Sequence, residues 1–207
     1  MVGRYKSGAR PALLRRCYDV VMLDLTSLAP VKYRLLKRRD YDQLVEGGAF
    51  RDERVELLYG RLIAMTPQGS RHSSPVEKLT RLLVLALGDR ASVRVQMPLI
   101  GADESEPEPD LAVVALEDHA RAHPAAAFLV IEVADTSLEV DRAIKARLYA
   151  DSNVREYWIV DVKRGEIEVY REPADGAWKQ VTRVARDGAL RVAAFPDVEL
   201  KAVDFLP

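Results

Sequence analysis

Two uninterrupted apolar runs constrain this chain most, because each has the length of a strand and carries an acid at one end. Residues 111–116 follow Asp110, and residues 128–133 contain Glu132 next to their end. Such runs are typical of strands that are buried on both faces. A polar loop joins them, which predicts neighbouring strands. If these strands are antiparallel, Asp110 and Glu132 meet at the same end of the sheet.

The segments before these runs predict a helix and a strand. Apolar residues recur at intervals of three and four between positions 76 and 86 and stop at Gly88, as in an amphipathic helix. Residues 93–97 then alternate apolar and polar side chains before Pro98, which predicts a half-buried strand.

The segments after these runs predict a second helix and a fourth strand. Thr136 and Glu139 form a capping-box pattern, so we expect a helix that begins there and continues through residue 149. Residues 157–162 are another apolar run of strand length. The order helix, three strands, helix, strand predicts an α/β (α+β) fold with a mixed central sheet flanked by helices.

The N-terminal part of the chain has a different character. Residues 1–40 are rich in arginine and lysine and have no sustained periodicity, so we interpret them as an extension. A short helix near residues 40–45 opens the domain, and residues 55–58 and 61–65 flank Tyr59-Gly60 like the arms of a hairpin. We therefore expect a single domain over residues 41–207.

The composition narrows the class of protein further. The chain has 207 residues, of which 48% are hydrophobic and 30% charged, as in ordinary globular proteins. Its one cysteine, Cys17, cannot form an internal disulfide or a cysteine-based zinc cluster, which favours a cytoplasmic location. No segment is apolar and long enough to cross a membrane. The net charge of −1 argues against tight nonspecific binding of nucleic acid.

The two acids predict a metal site. An ionised Glu132 between Ile131 and Val133 costs several kcal/mol unless a cation compensates it. A divalent metal bound jointly by Asp110 and Glu132 provides that compensation. Two hard oxygen ligands suit Mg²⁺ or Mn²⁺ better than zinc, which prefers histidine or cysteine.

Lys145 allows two interpretations. It borders the apolar stripe of the predicted second helix, so its ammonium could reach the two acids and stabilise charge on a phosphoryl transition state. Alternatively, it forms a surface ion pair with Asp141 four residues earlier, worth about 0.3–0.5 kcal/mol. Position alone does not distinguish these interpretations.

Several motifs resemble those of the Uma-two family of restriction endonuclease-like proteins, within the PD-(D/E)XK nuclease superfamily. The matching motifs are VQMPL at 95–99, EPEPDLAVV at 106–114, LVIEVADTSL at 129–138 and EYWIVD at 156–161. The resemblance extends from about residue 41 to residue 170. It implies a restriction endonuclease-like core with the element order αβββαβ.

The resemblance also implies roles for the site residues. Asp110 and Glu132 would be metal ligands and Lys145 the catalytic lysine. The superfamily's usual lysine follows the acid by two residues, but Ala134 occupies that position here, so the role passes to Lys145. Glu56 resembles the additional upstream acid, although an exposed position on the hairpin fits the sequence equally well.

Other polar or aromatic residues are weaker candidates for the site or are explained without it. Gln96 could line the cleft, and His72 could carry protons, although a solvated helix end explains His72 as well. His119 and His123 lie in a loop without further metal ligands nearby. Tyr149 and Trp158 fall on apolar stripes, which predicts a core position. Of these residues, only Gln96 and His72 belong to the predicted site.

These features lead to one main hypothesis and two rivals. The main hypothesis is a metal-dependent endonuclease that hydrolyses phosphodiester bonds, with DNA as its default substrate. It acts as a homodimer, since cutting both strands requires two sites. The rivals are a catalytically weak or inactive nuclease-fold module for binding or assembly, and a small-molecule phosphohydrolase. Both rivals agree with the near-neutral net charge.

Overall fold

Helices and strands are mixed in the first two thirds of the computed structural model, which describes residues 34–207, and strands predominate after residue 155. The helices are α1 (Arg38–Glu46), α2 (Ser70–Leu87), α3 (Leu138–Val140) and α4 (Ala146–Asp151). The strands are β1 (Val55–Leu58), β2 (Arg61–Ala64), β3 (Ser92–Val95), β4 (Leu111–Val114), β5 (Leu129–Ala134), β6 (Glu156–Asp161), β7 (Glu166–Ala174), β8 (Ala177–Ala185), β9 (Ala189–Val192) and β10 (Phe195–Lys201). A π-helical turn, Asp141–Lys145, connects α3 to α4.

A six-stranded mixed sheet forms the centre of the fold, with the spatial order β3-β4-β5-β6-β7-β8. Strands β4 and β5 are antiparallel, and Leu111 pairs with Ile131. Among the strands of residues 34–207, only β5 and β6 are parallel, and the helical segment from α3 to α4 makes the crossover that a parallel pair requires. The predicted α/β (α+β) fold with a mixed sheet flanked by helices is confirmed. Asp110 and Glu132 lie near the same end of β4 and β5.

Each face of the sheet is covered by different elements. Alternate residues of β5, such as Leu129 and Ile131, pack against α2 and the β9–β10 hairpin. Val130 and Ala134 point to the opposite face, where they join a cluster that includes Leu148 of α4. The alternation of side chains along a strand therefore places Glu132 on the α4 face.

The helices differ in detail from the sequence-based expectations. Helix α2 begins at Ser70, six residues before the apolar repeat, and contains Pro75 in its interior. The predicted capping box of Thr136 and Glu139 is wrong. The N-cap is Ser137, whose hydroxyl donates to the side chain of Asp141 instead of capping the backbone. A carboxylate one turn later competes with the backbone for this hydroxyl.

The strands are shorter than predicted at two ends. Strand β3 stops at Val95, because Gln96 adopts a φ of 51° in the left-handed region. Strand β4 ends at Val114, and Leu116 is 61% exposed. The apolar residues Met97 and Leu116 therefore lie outside the sheet.

The predicted hairpin forms with a two-residue turn. Tyr59 and Gly60 have φ values of 48° and 74°, as the tight turn between β1 and β2 requires. Tyr59 adopts this unfavourable conformation, and its backbone N–H donates to the hydroxyl of Ser105. The hairpin is thereby attached to the acidic loop before β4.

Two further expectations concern the N-terminal part and membranes. Residues 1–33 of the predicted extension, including Cys17, lie outside the described residues. Across residues 34–207, no helix is both long and apolar enough to cross a membrane.

Candidate active site

A cavity of about 570 Å³ lies where β4 and β5 meet the start of α2, the β2 strand and the π-helical turn. The polar residues in its wall are Glu56, Thr66, Gln68, His72, Glu108, Asp110, Glu132, Asp135, Thr136, Ser137, Asp141 and Lys145. Six acids thus share the wall with one lysine and one histidine. This excess of carboxylates favours a cationic ligand.

Donors from three different elements hold Asp110. The backbone N–H of Val133 donates to Oδ2 of Asp110 at 2.9 Å. His72 Nε2 lies 2.9 Å from the same oxygen, and the side-chain amide of Gln96 donates to Oδ1 at 3.2 Å. Such contacts fix the orientation of a carboxylate that could bind a metal.

Glu132 and Lys145 form a buried ion pair in the wall of the same cavity. Lys145 Nζ donates to Oε1 of Glu132 at 3.0 Å, and the two residues are only 4% and 6% exposed. Oε1 also accepts a hydrogen bond from the hydroxyl of Tyr149 at 2.7 Å. Burial of this pair rules out the alternative in which Lys145 pairs with Asp141 on the surface.

Glu56 completes the cluster from strand β1. Its Oε1 lies 3.2 Å from Lys145 Nζ, and its Oε2 accepts a hydrogen bond from the backbone N–H of Glu108 at 3.1 Å. Glu56 is buried, which corrects the alternative that placed it on an exposed face of the hairpin. Lys145 therefore sits between two carboxylates from two strands.

Burial dominates the electrostatics of this cluster. It raises the pKa of Glu132 well above the ordinary value, and Lys145 only partly opposes that effect. Burial also raises the pKa of Asp141 to about 6, against the lowering effects of Lys145 and Ser137. Burial alone would lower the pKa of Lys145, but the carboxylates of Glu132, Glu56 and Asp141 raise it instead. Lys145 therefore remains protonated at neutral pH, but its charge does not fully offset the cost of burying an ionised Glu132.

Backbone strain lies directly beside the site. Gln96 adopts its positive φ while its backbone N–H donates to the carbonyl of Asp110 at 3.1 Å. A left-handed conformation costs a residue with a side chain about 1–2 kcal/mol. The same residue donates its side-chain amide to Asp110. In this strained conformation, both the backbone N–H and the side-chain amide of Gln96 donate to Asp110.

The cavity brings together the residues that the sequence singled out. Asp110, Glu132, Lys145, Glu56 and His72 all line it. Gln96 reaches it through its hydrogen bond to Asp110.

Two lesser expectations about histidines have different outcomes. His72 is only 15% exposed in its side chain and contacts Asp110, so it is not a solvated helix end. His119 and His123 line a separate cavity of about 350 Å³. Within residues 34–207, no group of three histidine, cysteine or acidic side chains is arranged as a complete metal site. The two loop histidines therefore have no metal-binding partners there.

Sequence reasoning missed the parts played by Asp141 and Tyr149. Tyr149 is buried in the core as predicted, like Trp158, but its hydroxyl contacts Glu132. Asp141 lines the cavity and accepts a hydrogen bond from Ser137 at 2.6 Å. The four-residue spacing of Ser137, Asp141, Lys145 and Tyr149 was the available signal.

The donor set fits a magnesium or manganese ion. Mg²⁺ usually binds proteins through one or two carboxylates and keeps several waters, so it does not need a complete cage of side chains. Asp110 and Glu132 line the same cavity from adjacent strands. Among residues 34–207, no donor contacts Oε2 of Glu132, which leaves this oxygen available to a cation.

A solved structure resembles this one over most of its length. It is a protein from Anabaena variabilis ATCC 29413 described as "a putative nuclease belonging to DUF820", with a TM-score of 0.68. The two sequences are 16% identical, and the match covers 83% of this chain and 97% of that chain. The similarity therefore establishes the fold.

The sequence comparisons identify the family. No curated protein matches the chain. The profile of the Uma2 family, described as "Putative restriction endonuclease", matches residues 38–203. This match spans the sheet, its covering helices and every residue of the cavity wall. The chain belongs to the Uma2 family of restriction endonuclease-like proteins.

Proposed function

We propose that this protein is a metal-dependent endonuclease that hydrolyses phosphodiester bonds, with DNA as its substrate and Mg²⁺ or Mn²⁺ as its cofactor. The observation that carries this proposal is the convergence of Asp110, Glu132 and Lys145 on one cavity. Family membership supports the same reaction class. A cytoplasmic homodimer is part of the proposal, because cutting both strands of a duplex requires two sites.

Asp110 and Glu132 would hold the metal. Their contacts with Val133, His72 and Tyr149 fix both carboxylates before any ligand arrives. Preorganised ligands lose less conformational entropy when they bind. A divalent ion held there would supply the charge that polarises the scissile phosphate and lowers the pKa of an attacking water.

Lys145 would stabilise charge on the phosphate. An ammonium has three N–H donors, and Lys145 pairs with only two carboxylates within the described residues, those of Glu132 and Glu56. One donor therefore remains for a phosphoryl oxygen. In the overall reaction, water adds across the P–O bond, and the departing oxygen leaves as a hydroxyl group.

A plasmid-nicking assay tests this function. Purified protein should convert supercoiled plasmid to open circles with Mg²⁺ or Mn²⁺ and lose this activity with EDTA. Asp110→Asn and Glu132→Gln should each reduce nicking by at least about 100-fold, the scale of losing a major transition-state contact. Glu139→Gln is the matched control, because Glu139 has an 89% exposed side chain on the same helical segment.

A module that binds nucleic acid or protein without cleaving is the second candidate. Its supporting observation is the pairing of Lys145 with two acids, which neutralises part of the cavity without any metal. Protein that binds DNA in a mobility-shift assay but cleaves neither DNA nor RNA with either metal would favour this candidate. Activity on nucleotides alone would instead favour a small-molecule phosphohydrolase.

A further inference from the structure

Tyr149 of α4 has a hydrogen bond that core packing does not explain. Its ring is fully buried and packs against Tyr157, with 5.0 Å between ring centroids. A buried phenol needs a hydrogen-bond partner, but any acceptor satisfies it. Tyr157 in the same cluster uses the backbone carbonyl of Asp141 at 3.3 Å. Tyr149 instead donates to the carboxylate of Glu132 at 2.7 Å.

The two oxygens of Glu132 have different environments because of this contact. Oε1 receives the hydroxyl of Tyr149 and the ammonium of Lys145, at 2.7 and 3.0 Å. Within the described part of the chain, no donor reaches Oε2. Both donors therefore hold Oε1, whereas Oε2 has no donor among the described residues. Glu132 lines the cavity.

The four-residue helical spacing explains how Lys145 and Tyr149 reach the same oxygen, and the π-helical turn before them affects the side on which Asp141 lies. In a regular α-helix, residues four apart are offset by about 40°, so three such intervals from Ser137 to Tyr149 drift by about 120°. The i→i+5 hydrogen bonding of a π turn widens the helix and opposes this drift. Asp141–Lys145 forms such a turn. Ser137, Asp141 and Lys145 therefore all line the cavity, and Tyr149, four residues after Lys145, contacts Glu132.

Arg142 of this turn is anchored to the sheet. Arg142 donates to both oxygens of Glu168 in β7, from Nε at 3.0 Å and from Nη2 at 2.6 Å. Tyr170 donates its hydroxyl to Glu168 at 2.8 Å. The chain therefore contains a second buried tyrosine that donates to a glutamate, but Glu168 does not line the cavity.

We propose that Tyr149 is a positioning residue, which together with Lys145 holds Oε1 of Glu132 so that Oε2 is presented to a divalent cation. This inference rests on the proposed function, because it assigns Tyr149 to the same metal site. Residues that orient metal ligands typically change metal affinity by about 10–100-fold when they are removed. Loss of the Tyr149 hydroxyl should therefore weaken metal binding while the ring still fills the core.

Titration calorimetry with Mn²⁺ tests this role in the full-length protein without DNA. Tyr149→Phe should raise the dissociation constant for Mn²⁺ by about tenfold. Tyr170→Phe is the matched control and should leave it within about twofold. Combined with Glu132→Gln, the Tyr149→Phe change should have no further effect on Mn²⁺ binding, because the hydroxyl then has no carboxylate to orient.

Each outcome has a defined meaning. Unchanged Mn²⁺ binding by Tyr149→Phe, with normal binding by the wild-type protein, overturns the role of Tyr149 alone. An equal loss in Tyr149→Phe and Tyr170→Phe also overturns it, because general loosening of the aromatic cluster then explains both. A wild-type protein that binds no Mn²⁺ overturns the proposed metal site itself, and the role of Tyr149 with it. Melting curves of both variants show whether the fold is retained.

Discussion

Lys145 Nζ lies 3.0 Å from Oε1 of Glu132, although the two residues belong to different elements and both are buried. Replacing a buried ion pair as a whole is often tolerated, but removing one partner leaves the other charge uncompensated. Here the same ammonium also contacts Glu56 at 3.2 Å. Among the described residues, the compensation of Glu132 and Glu56 therefore depends on this one ammonium.

Lys145→Met should destabilise the protein by about 3 kcal/mol at pH 8, because Glu132 and Glu56 lose their cation. Urea unfolding of the variant and the wild-type protein measures the difference. Lys163→Met is the control, since Lys163 is exposed and lies 3.9 Å from Asp135. That change should alter stability by less than about 0.5 kcal/mol.

The loss in Lys145→Met should also depend on pH. Burial raises the pKa of Glu132, and removal of Lys145 raises it further. When an acid has a higher pKa in the folded protein than in the unfolded chain, it does not lower the free energy of unfolding below the unfolded-state pKa. As pH rises from the unfolded-state pKa towards the folded-state pKa, it lowers the free energy of unfolding increasingly. The difference from wild type should therefore be smaller at pH 5 than at pH 8. An equal loss at both pH values would contradict this account.

His72→Ala should reduce plasmid nicking by about 10–100-fold, because His72 is one of the groups that orient Asp110. Ser73→Ala is the control from the same helical turn, since the Ser73 hydroxyl donates only to the carbonyl of Gly69. Initial nicking rates at saturating Mg²⁺ provide the measurement. Equal rates for both variants would show that the contact with Asp110 does not matter for cleavage.

Divalent metal should stabilise the wild-type fold. A ligand present at about ten times its dissociation constant adds about 1.4 kcal/mol to the free energy of unfolding. Thermal melts with and without Mg²⁺ should therefore show a rise for wild type and no rise for Asp110→Asn. If Asp110→Asn responds to Mg²⁺ as strongly as wild type, the ion binds elsewhere.

Glu106→Gln should increase stability above neutral pH. Burial and the nearby carboxylate of Asp42 raise the pKa of Glu106 to about 7. Between about pH 4.5 and pH 7, this glutamate ionises readily only in the unfolded chain. Its contribution therefore lowers the free energy of unfolding increasingly as pH rises through this range. The glutamine variant lacks this penalty and should gain about 1–2 kcal/mol over wild type at pH 8 but little at pH 4.5. Urea unfolding at both pH values measures this; a gain of the same size at pH 4.5 would contradict it.

The sequence predicted the sheet and the main acids because both depend on local patterns. A continuous apolar run identifies β5, and a lone acid inside it needs compensation wherever the chain folds. The position of Lys145 was open to two interpretations, because spacing along a helix does not show whether that face is buried. Only the packing of α4 against the sheet decides between them.

Other features of the site depend on contacts between distant segments. The sequence of the short hairpin also allows a surface position for Glu56. In the structure, the loop before β4 covers Glu56 and supplies the N–H of Glu108 to its carboxylate. The π turn has no composition that distinguishes it from an ordinary helix. Gln96 has a positive φ that is unusual for its residue type, so propensity favours an uninterrupted strand there.

Ala134 gives the site a constraint on its evolution. Its side chain is almost completely enclosed within the cluster that contains Val130 and Leu148. A lysine at this position would need to fit a long charged chain into filled space, which both overpacking and desolvation oppose. A cation on strand β5 in place of the helical lysine would therefore require several coordinated substitutions in this cluster.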